Sequence, residues 1–226
     1  MDIEHQDWGR LDYATSFSRM QSLVDARIET RTSDKPLSDL LITVEHPSIY
    51  TLGIATKPEH LLSPRCSPTH QTDRGGQVTW HGPGQLVIYP ILDLDRLGYG
   101  PRSLVQRSEK LLQALIDPHL PKDIPSFLDP KAPGVYASST EHADRVKLAS
   151  LGFKIRRGIS YHGMSLNIDA DLSAFDHINP CGYAGLSMAN LCQFDPNVSF
   201  ESLQQRLVLI AADYYASETF PINLKD

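Results

Sequence analysis

From Gln85 to Asp93 the chain runs Gln-Leu-Val-Ile-Tyr-Pro-Ile-Leu-Asp, apolar at almost every step. A strand with no polar alternation belongs inside a sheet covered on both faces. Pro90 cannot donate to a ladder, so it puts this strand at an edge or at a bulge. The neighbouring segments supply the rest of the sheet and its covers. Tyr13, Phe17, Met20, Val24 and Ile28 recur at three- and four-residue steps and predict a helix over about Leu11 to Thr30. Leu40 to Val44 and Ser48 to Gly53 read as two short strands broken at His46-Pro47. Residues 54–73, with Pro58, Pro64 and Pro68, read as an irregular loop.

Leu104, Ser108, Leu111, Leu112 and Leu115 mark a second helix, and Gly134 to Ala137 resumes strand character. From Val146 to Asp169 two or three strands are expected, with bulges or turns at Gly152, Gly158 and Gly163. A short helix capped by Asp171 and a C-terminal helix carrying Phe200, Leu203, Leu207, Ile210 and Tyr214 complete the order. Strands and helices mix without a strict βαβ period. The fold class is therefore α/β in the broad sense (α+β), a mixed β-sheet flanked by helices. With 226 residues and 41% hydrophobic content the chain reads as one domain, 1–226.

Composition excludes several functions. Lys plus Arg number 21 against 27 Asp plus Glu, and the densest basic stretch is Lys154-Ile155-Arg156-Arg157. A nucleic-acid binder needs a positive face to displace counterions, so no nucleic-acid partner is expected. The longest apolar run, Leu207 to Ala212, is far short of the ~20 residues of a membrane span. The N-terminal Met-Asp-Ile-Glu-His has acid where a targeting segment carries base, and a cytoplasmic location is expected. Cys66, Cys181 and Cys192 form no CxxC pair and suit neither a disulfide framework nor a zinc site. No metal is assigned.

Three clusters concentrate the residues that could do chemistry. Arg74-Gly-Gly-Gln-Val-Thr-Trp-His-Gly-Pro-Gly-Gln85 packs four glycines beside a strand, where backbone N–H groups can approach a ligand closely. It matches neither dinucleotide nor P-loop spacing, so two tight turns and a binding loop are both open readings. The second cluster runs from Lys147 to Gly152 and on through Ser160-Tyr-His-Gly-Met-Ser-Leu-Asn167. The third is Asn179-Pro-Cys-Gly-Tyr-Ala-Gly185, where Cys181 sits on a turn that can present its sulfur at a pocket. Cys66 and Cys192 read as small buried hydrophobes. A nucleophilic thiol needs a nearby cation or imidazole, and Lys147, His81 and His162 are the candidates.

Together the stretches RGGQVTWHGPGQLVIYPILDL, APGVYAS, KLASLG, RRGISYHGMSLNID and FDHINPCGYAG resemble the lipoyl(octanoyl) transferases, in order over about residues 40–190. The resemblance implies the fold of biotin and lipoate protein ligase catalytic domains. It implies transfer of an octanoyl group from acyl carrier protein to a lysine of a lipoyl domain, as in 2-oxoacid dehydrogenase complexes or the glycine cleavage H protein. Carried over, the acyl-thioester nucleophile falls on Cys181 and the lysine that lowers its pKa on Lys147. The substrate-contacting positions fall on Arg74, Gly75, Gly76, Gln77, Val78, Thr79, Trp80, His81, Ser150, Leu151, Gly152, Gly163, Met164 and Ser165. Trp80 stands where a tyrosine is commoner, and Leu148-Ala149 also depart from the family pattern. No cofactor, ATP or metal is required on this reading, and a monomer is expected. Backbone donors at Gly75-Gly76 or Cys181-Gly182 are candidates for an oxyanion, and His162 is either a proton acceptor or a structural residue. Lys154, Arg156 and Arg157 are candidates for meeting an acidic carrier. The alternatives are an ATP-dependent lipoate or biotin ligase of the same fold, and a non-catalytic binder of lipoyl domains.

Overall fold

The computed structural model describes residues 3–63, 65–138 and 145–216. In chain order its strands and α-helices are β1 (Ile3–Arg10), α1 (Tyr13–Thr30), β2 (Asp39–Glu45), β3 (Ile49–Leu52), β4 (Thr69–Gln71), β5 (Val78–His81), β6 (Gln85–Ile91), α2 (Leu94–Leu97), α3 (Pro101–Ile116), β7 (Phe127–Leu128), β8 (Gly134–Ser138), β9 (Arg145–Arg156), β10 (Ile159–Asn167), β11 (Ser187–Met188) and α4 (Phe200–Tyr215). Among the described residues the strands form two sheets. The larger runs β1-β2-β6-β10-β9-β8-β7 with β11 beside β9, and the smaller runs β4-β3-β5. The β1/β2 and β9/β11 pairs are parallel and the other neighbours in the larger sheet antiparallel, so it is mixed.

Alternation along the central strands decides which helix covers which face. Leu40, Ile42 and Val44 of β2 and Val87, Tyr89 and Ile91 of β6 pack with Met20 and Val24 of α1. Leu41, Leu86 and Ile88 turn the other way, toward Leu104, Leu111, Leu112 and Leu115 of α3 and Leu203, Leu207 and Ala211 of α4. α1 begins where Asp12 accepts from the Thr15 N–H at 2.8 Å. α3 starts on Pro101, whose missing N–H costs nothing in the first turn. No helix among the described residues is long and apolar enough to cross a membrane.

Three features differ from the sequence reading. β1 is unforeseen, because Ile-Glu-His-Gln-Asp-Trp-Gly-Arg is mostly polar and lies half-buried on the sheet's edge. Pro90 is not at an edge, since β6 lies between β2 and β10. Its ring faces a break in the β10 ladder, which stops at Met164↔Ile88 where His162 takes φ +57°. There the Ser160 hydroxyl donates to the Pro90 carbonyl (2.8 Å) and accepts from the Leu92 N–H (3.0 Å), doing what strand pairing cannot. Gly152 and Gly163 mark no turns; they face each other across the β9/β10 ladder. The hairpin turn falls at Arg157-Gly158, both at positive φ. The loop at 54–73 carries a 3₁₀ turn (Pro58–His60) and β4.

Removing the Ser160 hydroxyl leaves a buried C=O and a buried N–H without their partner, so Ser160→Ala should lower the unfolding free energy by about 2 kcal/mol. Urea denaturation of the variant against the parent protein measures it; a change under ~0.5 kcal/mol contradicts the bridging role.

Candidate active site

A cavity of about 350 Å³ lies between the middle of the larger sheet and the smaller sheet with its glycine-rich loop. That is the small end of ligand-site volumes and suits one slender molecule. It is bordered by Arg74 to Thr79, His81, Ser150 to Gly152 and Gly163 to Ser165, which are the substrate positions of the sequence reading apart from Trp80. Small residues open it. On β9 and β10 the cross-strand pairs Ser150↔Ser165 and Gly152↔Gly163 stand side by side. At Gly163 a Cβ would come within 2.0 Å of the Ile88 carbonyl oxygen, so no side chain fits there.

The loop at residues 74–76 is fixed on both sides. Arg74 is buried, its guanidinium donating to the Thr51 carbonyl at 2.6 Å and to the Gly75 carbonyl at 2.9 Å. The Gly75 N–H donates to Phe153 O at 3.0 Å, and the Ile54 N–H to Arg74 O at 3.0 Å. Gly53 admits this close approach, since a Cβ there would lie 2.3 Å from the Gly76 carbonyl oxygen.

Trp80 does not border the cavity. Its ring is buried against Phe175, and its indole N–H donates to Ser48 Oγ at 2.9 Å. Trp80 and its neighbour His81 point to opposite faces of β5, and Trp80 joins the cluster with Phe175 and Ile178. Sequence reasoning missed Tyr13, Val87, Tyr89, Val105, Phe153, Tyr183 and the segment Lys131 to Pro133, all of which border the cavity. Tyr13 carried a signal, as the first residue of α1's apolar face, but that signal is shared with any core residue.

Lys147 is fully buried. Its ammonium donates to the Pro133 carbonyl at 2.9 Å and lies 5.2 Å from the centroid of the Tyr136 ring. Gly134 makes room for it, since a Cβ there would lie 2.3 Å from Lys147 Cε. Glu109, which the sequence did not mark, accepts from the Gly134 N–H at 2.9 Å. Burial pushes its carboxyl up, against the pull of the nearby Lys147 charge. Pro133 also ends the pairing of β8. The β8/β9 register begins at Gly134↔Ser150.

Cys181 lies in a 3₁₀ turn, Pro180–Gly182; its side chain is outside the described residues. The turn is held at the cavity rim. The Gly182 Cβ position is 3.2 Å from Gln77 Cγ, and the Tyr183 hydroxyl donates to Lys131 O at 3.0 Å. Asn179 N–H donates to His60 O at 3.0 Å, which brings His60 to the same turn. Of the other cysteines, Cys66 is buried with its thiol 3.0 Å from the His177 carbonyl. Burial pushes the Cys192 thiol up, and its Asp169 neighbour adds to this. Lys154, Arg156 and Arg157 lie at the far end of β9 from Lys147, where Arg156 pairs with Asp25.

Three buried histidines near the cavity are neutral, and their partners fix the tautomers. His162 Nε2–H donates to Asp73 at 2.8 Å, and that contact holds the Asp73 carboxyl down at about 2. Its Nδ1 then accepts from the Tyr13 hydroxyl at 3.5 Å. His81 Nδ1–H donates to Gln85 Oε1 at 2.7 Å, while the Gln85 amide donates to Asn167. His46 Nδ1–H donates to Leu11 O and its Nε2 accepts from Tyr89, both at 2.7 Å. Burial lowers the pKa of all three, that of His81 to about 3.

A folded-state pKa below the unfolded value of ~6.5 means that the unfolded chain binds protons the folded one refuses. The stabilisation is complete above pH ~6.5 and is lost as pH falls toward 3, by up to ~1.4 kcal/mol per unit and per histidine. Asp73 contributes in the same direction only below its unfolded value near 4. Urea midpoints should therefore be flat from pH 7 to 8 and fall between pH 6.5 and 5, with a shallower fall in His81→Gln. A midpoint independent of pH over that range contradicts the neutral assignments.

The comparisons with known proteins agree with this geometry. The model of the lipoyl protein ligase A/B catalytic domain matches residues 12–210. An octanoyltransferase of Acinetobacter baylyi is 48% identical over 195 residues, covering 86% of this chain and 82% of that protein. An octanoyltransferase of Cellvibrio japonicus is 46% identical over 212 residues, 93% of this chain and 92% of that protein. Among solved structures, the bipartite lipoate protein ligase of Thermoplasma acidophilum superposes with a TM-score of 0.60 over 94% of this chain and 84% of its own, at 14% identity, a likeness of fold. By sequence over most of its length, the chain belongs to the lipoyl protein ligase A/B catalytic-domain family.

Proposed function

We propose that this protein transfers an octanoyl group from a carrier-bound thioester to a lysine amine of a lipoyl domain, through a thioester on Cys181. The observation that carries the reading is the buried Lys147 ammonium, anchored on Pro133 at the border of a cavity whose rim holds the Cys181 turn. The high identity to octanoyltransferases over nearly the whole chain supports octanoyl as the group moved.

The proposed chemistry has two steps. In the first, the Cys181 thiolate, favoured by the Lys147 charge, attacks the carbonyl carbon of the donor thioester. A tetrahedral oxyanion forms, to be held by backbone N–H donors. The carbon–sulfur bond to the carrier breaks, and the departing thiolate takes a proton from Lys147. In the second step the substrate amine attacks the enzyme thioester and gives its proton to the now neutral Lys147 amine. The carbon–sulfur bond to Cys181 breaks and an amide remains. Thioester for thioester is nearly balanced and thioester for amide is downhill, so the cycle closes without ATP or a metal.

On this reading the partners are an acyl carrier protein and a lipoyl domain, met by a monomer in the reducing cytoplasm, where the thiol survives. Intact-protein mass after mixing with octanoyl acyl carrier protein, without ATP, should show one octanoyl group on the parent protein and none on Cys181→Ser. Lys147→Met should form the adduct about 10² to 10⁴ times more slowly. No adduct without ATP, followed by modification of a lipoyl domain once ATP and free octanoate are supplied, would replace this reading with that of a ligase.

A further inference from the structure

The cavity has a defined end. Its rim carries the exposed residues Gly76, Lys131 and Tyr183, and its opposite side is closed by Tyr13 and His162, 3% and 1% exposed. Those two rings are held on every side. Asp73 and the Tyr13 hydroxyl take both nitrogens of His162. Phe17 of α1 stacks on both rings, at 6.4 Å from Tyr13 and 5.2 Å from His162, and Met20 Sδ accepts from the His162 N–H at 3.1 Å. Tyr161 donates to the other Asp73 oxygen and stacks on His162. A wall fixed in this way neither retreats for a longer ligand nor advances on a shorter one.

Its distance from the reacting end suits a medium chain. His162 pairs with Phe153, six residues along β9 from Lys147, which is about 20 Å at ~3.3 Å per residue. The Lys147 side chain leans toward the cavity, its Cε against Gly134, the partner of Ser150, and covers about 6 Å of that span. An extended octanoyl chain has seven carbon–carbon bonds of ~1.5 Å that zigzag to about 9 Å. The remainder accommodates the thioester linkage.

We propose that Tyr13 and His162, pinned by Asp73, form the stop that sets the acyl-chain length this protein accepts. The proposal rests on the acyl-transfer reading above. Equimolar octanoyl- and dodecanoyl-pantetheine, mixed with the protein in one tube, report the ratio of the two adduct masses. That ratio is internal to each sample and does not depend on how much of a variant is folded. The parent protein should carry octanoyl in large excess. In Tyr13→Ala the dodecanoyl share should rise about tenfold or more, and Tyr13→Phe, which keeps the ring, should restore the parent ratio. Asp73→Asn should shift it in the same direction by less.

An unchanged ratio in Tyr13→Ala overturns the stop, as does an equal shift in Tyr13→Phe. Loss of both adducts in Tyr13→Ala and Tyr13→Leu alike also overturns it, because an end wall decides which chain enters rather than whether one does. Absence of any octanoyl adduct on the parent protein removes the transfer reading itself and this proposal with it.

Discussion

A fully buried ammonium is the costliest group in this structure, and the local architecture is arranged around it. Desolvating a lysine charge costs several kcal/mol unless protein dipoles replace water. Here the Pro133 carbonyl and the Tyr136 ring face do so. Both depend on the end of β8. Just before that strand the Pro133 carbonyl is directed at Lys147, and the missing Cβ of Gly134 gives the side chain its path. Glu109 holds the Gly134 N–H from α3 beneath the sheet. A strand end, a helix side chain and a glycine thus share one task.

The opposite side of the cavity solves a different problem with the same economy. Its polar groups are satisfied by one another: Asp73 with His162 and Tyr161, His162 with Tyr13, His46 with Tyr89, His81 with Gln85. Neutral imidazoles place no imidazolium charge beside the space. An apolar chain can therefore occupy a cavity bordered by histidine, tyrosine and arginine. Arg74 conforms, since its guanidinium is directed into Thr51 and the loop carbonyl.

The parts legible in the sequence were those written in local pattern or in a family motif. Helical periodicity located α1, α3 and α4, and the apolar run located β6. The glycine-rich loop and the β9/β10 segments were marked as substrate positions by resemblance, and the structure brings them to one cavity with the exception of Trp80. What could not be read was non-local. Pro90 reads as an edge or a bulge, and the local sequence does not reveal that Ser160, seventy positions later, bridges the gap. Gly152 and Gly163 read as bulges or turns because their pairing is a matter of register. β1 is polar on an edge, and Glu109 is one acid among many on a helix face; neither differs locally from a solvated segment. Trp80 reads as a substrate position because a motif says which residues neighbour a ligand in sequence; in the fold its ring lies against Phe175, away from the cavity.

The turn at Cys181 and the anchored loop at Arg74 to Gly76 imply a division of labour between rigidity and access. Backbone bonds on both sides hold the loop, and three adjacent strands, β6, β10 and β9, border the cavity, so the space for an acyl chain is built into the fold. The Cys181 turn is held by backbone bonds to His60 and within residues 179–183 and by the Tyr183 hydroxyl on Lys131 O, on a rim that includes exposed Tyr183. Two macromolecular substrates have to reach one sulfur in succession on the proposed cycle. A preformed chain site combined with a reactive group at the open rim meets that demand, because the acyl tail stays lodged in the fixed cavity while the carrier leaves and the acceptor lysine takes its place.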